Sequence, residues 1–190
     1  MSVLILGLVQ FLGMHSARIV AEGPRAAFIA RHGAGAWKGL YTVVALAGFA
    51  LIIWGYGQAR LQPVVLWDSP LWTRHLAGLL MLVALVLLGA SQVPGNGIKA
   101  RLHHPQVLAV KTWALAHLLA NNTLADLLLF GGFLLWVVLL FRSARRRAVE
   151  VAPGSWPGTL AVLLLGTAAY AVFAMVLHAR WIGVAPFLQR

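Results

Sequence analysis

Apolar residues along this chain fall in long runs, and the polar and charged positions gather in short clusters between them. Six runs can be read, at residues 2–20, 40–56, 76–93, 107–120, 124–141 and 159–181. Their lengths suit helices that cross a bilayer, whose hydrocarbon core is about 30 Å thick. Helix breakers lie between them: Gly33 and Gly35; Pro63 and Pro70; Pro94-Gly95-Asn96-Gly97; Pro153, Pro157 and Gly158. The fourth run is the weakest, being short and containing Lys111. Only Asn121-Asn122-Thr123 separates it from the fifth, so those two helices are expected to be antiparallel neighbours. Thr123 followed by Asp126 predicts a helix N-terminus with an acid in its first turn. The expected fold is all-α, one integral membrane bundle of about six transmembrane helices spanning residues 1–190. Gly35-x-x-x-Gly39 has small-residue packing spacing at a helix start.

Composition strengthens this picture. Of 190 residues 61% are hydrophobic and 10% charged, and the mean hydropathy is +0.85. A soluble domain carries about 25% charged residues to wet its surface. The net charge of +11 does not imply nucleic acid, because the basic residues sit at helix ends and not in a stripe. Positive-inside sorting and anionic headgroups account for them there. Residues 1–13 look like a signal peptide, but Arg18, Arg25 and Arg31 follow the apolar run, the order expected of a retained helix.

The same charges predict orientation. Arg18, Arg25, Arg31, Lys38, Lys99, Arg101, Arg142, Arg145, Arg146 and Arg147, ten in all, follow the first, third and fifth runs. Arg60, Arg74, Arg180 and Arg190, four in all, lie on the other side. Both termini are therefore expected outside, in the periplasm of a bacterial inner membrane. Aromatic belts agree, with Trp37, Tyr41 and Trp156 inside and Trp54, Tyr56, Trp67, Trp72 and Trp181 outside.

Seven histidines accompany four acids and no cysteine. Without cysteine there is no disulfide, iron–sulfur cluster, thiolate-ligated haem or covalent haem attachment. Ionisable residues at bilayer depth are functional candidates because they are costly to keep there. His117 lies well inside the fourth run and shares a helix face with Trp113 and Asn121, while His104 and Lys111 share another. Its imidazole is either a ligand or a packing hydrogen bond between helices. His15, with Phe11 and Arg18 on its face, and His178, near the outer interface, admit the same pair of readings. His103-His104-Pro105 opens the fourth helix, where the imidazoles could act as caps. Lys111 either snorkels to the inner headgroups or neutralises a bound anionic group such as a haem propionate. His32 and His75 lie in or beside loops. No Ser-His-acid arrangement, phosphate-cradling loop, HExxH or paired membrane carboxylates are present. Glu22, Asp68, Asp126 and Glu150 all lie near loops or helix ends, which disfavours a carboxylate proton relay.

Several pieces together resemble a known family. They are Gly13-Met14-His15-Ser16, Trp54-Gly55-Tyr56, Pro94-Gly95-Asn96-Gly97-Ile98-Lys99, and His104-Pro105 followed by Lys111-Thr112-Trp113-Ala114-Leu115-Ala116-His117-Leu118-Leu119-Ala120-Asn121. Over nearly its whole length the chain is similar to the NnrU-like membrane proteins. That family is associated with bacterial nitrite and nitric oxide reduction, and includes the plant 15-cis-zeta-carotene isomerases, which use haem b. The resemblance implies a haem b, with axial histidines matching His15 and His117 and a further important histidine matching His104. The plant pattern has a cysteine proposed as an alternative ligand, which this chain lacks. By depth, His15 lies roughly 20 Å from the outer face and His117 roughly 20 Å from the inner face. The two differ by about 10 Å across a core of about 30 Å, and His117 with His178 matches better by depth.

The function expected on this basis is a multi-pass, haem-b membrane protein in redox-linked chemistry, either polyene cis–trans isomerisation or nitrogen-oxide (denitrification) metabolism. Its partners would be the lipid bilayer, a lipophilic or small gaseous ligand and a redox partner. The alternative is a cofactor-free membrane accessory or transport protein associated with denitrification. A weaker third is a small membrane transferase, since the His104-Pro105 start resembles that of membrane methyltransferases, although the rest of such a cofactor site is not recognisable.

Overall fold

A computed structural model describes residues 1–147 and 151–187; Glu150 and Arg190, which figured in the reading of charges above, lie outside them. Helix is the only extended element among the described residues. In order these are α1 (Ser2–His15), α2 (Ala17–Val20), α3 (Glu22–Leu61), α4 (Leu71–Gln92), α5 (Gly97–Leu102), α6 (Pro105–Ala120), α7 (Leu124–Ala144) and α8 (Trp156–Val172), which continues as a π-helix (Phe173–Ile182).

Four helices are long and apolar enough to cross a membrane: α3, α4, α7 and α8 with its continuation. They leave large apolar side chains uncovered, among them Val43, Leu46, Phe49 and Ile53 on α3 and Leu163, Leu164 and Leu165 on α8. Such a surface is a liability in water and suits hydrocarbon. At 1.5 Å per residue α1 (14 residues) and α6 (16 residues) reach about 21 and 24 Å, less than the roughly 30 Å core. The first apolar run stops early because the helix breaks at Ser16, whose hydroxyl donates back to the Leu12 carbonyl at 2.7 Å.

Other boundaries follow identifiable residues. The break expected near Gly33 is a kink within α3, where Gly33 takes φ 83° and ψ 159°, a conformation a side chain would oppose. The Pro94-Gly95-Asn96-Gly97 breaker holds the fully buried Asn96. Its Nδ2 donates to the carbonyls of Ala90 (3.0 Å) and Val93 (2.5 Å), and its Oδ1 accepts the Lys99 N–H at 2.8 Å. Asn96 thereby ends one helix and caps the next, the short α5, which periodicity did not predict. Pro105 opens α6 as expected. Asp126 and Thr123 form the expected helix start: Asp126 Oδ2 accepts from the Thr123 N–H (3.1 Å) and hydroxyl (2.6 Å), and Thr123 Oγ1 accepts the Asp126 N–H (3.2 Å).

The chain forms two compact units: Met1–Trp67 with Thr123–Trp136, and Asp68–Asn122 with Val137–Arg190. In the first, α1 packs along α3. Glycines let the backbones close: a Cβ on Gly7 would stand 2.6 Å from the Ile52 nitrogen, and one on Gly48 2.9 Å from the Phe11 nitrogen. In the second, α4 packs against α6 and α8 through small residues, including Ala84 and Ala90 of α4 and Ala109 and Ala116 of α6, all buried. A Cβ on Gly166 of α8 would meet Val86 Cα at 2.7 Å. Gly35 and Gly39, by contrast, face nothing within 4 Å, so their spacing does not mark a contact.

Candidate functional site

Three candidate histidines share one local device. His15 Nδ1 lies 2.8 Å from the Phe11 carbonyl oxygen, His117 Nδ1 2.9 Å from that of Trp113, and His178 Nδ1 2.7 Å from that of Val184. A carbonyl can only accept, so in each neutral ring Nδ1 carries the hydrogen and Nε2 the lone pair. An imidazole held in this way is oriented for ligation through Nε2. For His15 and His117 the acceptor lies one turn back in the same helix, so the helix itself fixes the ring. His178 is held from the opposite direction, by the chain that turns back after Gly183 (φ 75°). It also sits in the π-helix, a geometry that is rare and often functional.

The first unit surrounds His15 with aromatic rings. The imidazole stacks on Phe11 at 4.1 Å and 28°, with Tyr41 at 5.1 Å and Trp136 edge-on at 5.9 Å and 89°. Phe133 packs in turn on Phe11 and Trp136. Trp136 Nε1 is buried without a hydrogen-bond acceptor among the described residues, which costs about 1–3 kcal/mol. The ring that meets the His15 imidazole edge-on thus carries an unsatisfied indole N–H in an aromatic surround.

The second unit holds the other four candidates. The expected face of α6 is realised: the Trp113 ring lies 5.4 Å from His117, and Asn121 Nδ2 donates to the His117 carbonyl at 2.8 Å. His104 and Lys111, expected on another face, both reach Phe141 of α7. The His104 ring meets it edge-on at 6.3 Å, and Lys111 Nζ lies 5.9 Å from its centroid. Arg145 also stands over this ring, at 5.8 Å. His104 occupies the cap position of α6, but its side chain makes no capping hydrogen bond, contrary to the capping alternative. Burial lowers its pKa from the ordinary 6.5, and the nearby charges of His103, Arg147 and Arg145 lower it further. His103 has φ 62° and ψ −40°, and the His104 N–H donates to the Leu102 carbonyl at 2.7 Å. Together these define a γ-turn of the strained, positive-φ kind.

Sequence reasoning did not find Trp136, Phe141 or the role of Tyr41. Phe133 and Trp136, and Phe11 and His15, stand at helical spacings of three and four that could have marked two faces. Tyr41 fitted an interfacial belt equally well, and periodicity cannot distinguish a ring facing lipid from one facing a histidine. Among the described residues no three of His, Asp and Glu cluster to hold a bare metal ion. The imidazoles are single potential ligands on separate helices.

No curated protein and no solved structure matches the chain. The profile of the NnrU protein family matches residues 3–186, an extent that includes His15, His104, Lys111, His117 and His178, and the chain therefore belongs to the NnrU protein family.

Proposed function

We propose that this NnrU-family chain is a multi-pass membrane protein that binds a b-type haem through His15 and His117. It would serve redox-linked chemistry on a lipophilic or small gaseous ligand, either polyene cis–trans isomerisation or a step of nitrogen-oxide metabolism. The observation that carries this reading is the fixed tautomer: on each of the two helices a backbone carbonyl four residues back holds Nδ1, leaving the lone pair on Nε2.

The residues present fit the group. Haem iron takes neutral imidazole readily, and the absence of cysteine leaves histidine as the natural ligand type. The orphaned Trp136 Nε1 is a donor suited to a polar group brought in beside His15. Lys111 and His104 line up on Phe141 and suit the anionic edge of a haem, and His178 is the alternative second ligand. Bound haem would supply one-electron chemistry at its iron. The chain's own part is to fix the imidazoles, to exclude water with Phe11, Phe133 and Trp113, and to offer a hydrogen-bond donor from Trp136. In this reading α1 and α6 are shorter crossings that complete six, with local bilayer thinning or flanking residues making up the difference.

Absorption spectra of the detergent-purified protein, oxidised and dithionite-reduced, with a pyridine haemochrome assay, test this directly. The expected result is a Soret band with sharp reduced α and β bands, lost in His117→Ala and in His15→Ala. A featureless visible spectrum after haem-supplemented expression rejects the reading in favour of a cofactor-free accessory protein.

A further inference from the structure

The second unit contains a cleft of about 530 Å³ lined by α5, the start of α6 and the end of α7. Its polar walls are Arg101, His103, His104, Arg145 and Arg147; Phe141 and Leu108 form the apolar part. No carboxylate lines it among the described residues. Three guanidiniums and two imidazoles thus converge with no counter-charge among the described residues, an arrangement that self-repulsion disfavours unless an anion enters.

Three further features point to an anion of phosphate type. Guanidinium groups bind phosphate oxygens in a bidentate manner, and the cleft offers three. The first turn of α6 opens at His104, so its positive end faces the same space. The strained γ-turn at His103 sets two consecutive histidines at the cleft, and strain of this kind persists where surrounding structure over-determines it. Position favours a lipid: α7 is a helix of membrane-crossing length, and the cleft lies at its end, where headgroups lie. Leu102, 42% exposed, extends the apolar wall beside the basic one.

We propose that this cleft is a binding site for a phosphate group, carried by an anionic phospholipid headgroup whose acyl chains lie along Leu102, Leu108 and Phe141. The cleft shares His104 and Phe141 with the haem edge proposed above but holds neither axial histidine, and lipid retention is read without haem.

The full-length protein in detergent is equilibrated with mixed micelles of phosphatidylglycerol and phosphatidylcholine, and retained lipid is counted by native mass spectrometry. Radiolabelled inorganic phosphate is followed in parallel by equilibrium dialysis. Phosphatidylglycerol is expected to be retained over phosphatidylcholine. Arg101→Gln with Arg145→Gln is expected to weaken retention by about a hundredfold, taking roughly tenfold for each lost charge-assisted contact. The basic-loop control Arg18→Gln with Arg25→Gln should retain lipid like the parent, and far-UV circular dichroism establishes that both variants are folded. If inorganic phosphate binds alone and is lost in the same cleft variant, the phosphate site stands and its source is a soluble phosphate. If neither probe is selective, or the cleft and control variants bind alike, the proposal is overturned. It is equally overturned if the cleft variant loses only haem affinity, because the arginines then serve a propionate.

Discussion

The Tyr56 hydroxyl donates to Asp126 Oδ1 at 2.5 Å, joining the end of α3 to the start of α7 across 70 positions of sequence. Asp126 is 5% exposed, and its other oxygen is taken by the Thr123 N–H and hydroxyl. The acid that the sequence reading assigned to a helix start is thus also a tertiary anchor. Removing the donor in Tyr56→Phe should cost about 1.5–3 kcal/mol, the range for a hydrogen bond to a charged group. For a chain of this size that lowers Tm by roughly 3–12 °C. Asp126→Ala should cost more, because Tyr56 and Thr123 then both lose their acceptor. Thermal unfolding in detergent measures both, and an unchanged Tm for Tyr56→Phe would show that the bond contributes nothing.

Glycines of equal helix propensity should respond oppositely to alanine. A Cβ at Gly7 meets the α3 backbone at 2.6 Å, where neither side can yield without moving a helix. Gly7→Ala is therefore expected to destabilise by about 1–3 kcal/mol. Gly35 and Gly39 meet nothing within 4 Å, so alanine there should be neutral or stabilise by up to about 1 kcal/mol through helix propensity. Equal effects at the three positions would contradict the α1–α3 packing.

These contrasts show what the sequence could and could not convey. Long apolar runs, Pro105 and the Thr123–Asp126 pair located helices and their starts, because those signals are local and backbone-based. The faces of α6 were legible too, since Trp113, His117 and Asn121 follow directly from 100° per residue. The partners of those faces were not. Phe141 meets His104 and Lys111 from a different helix, and Trp136 meets His15 over 121 positions of sequence, so neither pairing leaves a local signal. The γ-turn at His103 was also hidden, because histidine has no special claim to a positive φ. The Gly35–Gly39 spacing marks no contact for the complementary reason: small residues permit close packing but do not require it.

Trp136 offers a prediction specific to the haem reading. Its Nε1 has no acceptor among the described residues, so Trp136→Phe removes none of the hydrogen bonds seen there and leaves a smaller ring. Relief of the unsatisfied N–H offsets the packing lost with the smaller ring, so apoprotein stability should change by no more than about 1 kcal/mol. With haem bound, the same substitution should weaken haem retention or shift the reduced α band, since it removes a donor beside the ligand His15. A spectrum and a haem off-rate identical to the parent would deny the indole any role.

His104 gives the basic cleft a pH dependence with a defined sign. Its pKa lies below the ordinary 6.5, through burial and then the charges of His103, Arg147 and Arg145, so it is neutral at pH 7. A bound anion favours the protonated ring and raises that pKa. Retention of phosphatidylglycerol, whose phosphodiester charge is constant, should therefore strengthen as pH falls from 8 towards 5.5. Measuring His103→Gln beside His103→Gln/His104→Gln isolates His104 among the cleft side chains. The double variant should show the flatter profile, and equal slopes would remove His104 from the effect.

Whether α1 and α6 cross the bilayer is decided by parity, and the cysteine-free chain makes that measurable with single introduced thiols. Asp68 lies exposed between α3 and α4, and Ala152 lies exposed between α7 and α8. If only the four long helices cross, one crossing by α4 and one by α7 return the chain, so Asp68→Cys and Ala152→Cys label from the same side. If α6 also crosses, the parity changes and the two label from opposite sides, with Ala152 inward beside the basic cluster Arg145-Arg146-Arg147. Ser2→Cys tests α1 in the same way: six crossings put it on the side of Asp68, four put it opposite. The charge count, ten basic residues against four, favours six, because a non-crossing α6 would carry that arginine cluster outward against the positive-inside rule. Labelling with a membrane-impermeant maleimide in intact cells should therefore modify Ser2→Cys and Asp68→Cys and spare Ala152→Cys. Modification of Asp68→Cys and Ala152→Cys together would leave α6 on one side of the membrane and remove the six-crossing arrangement.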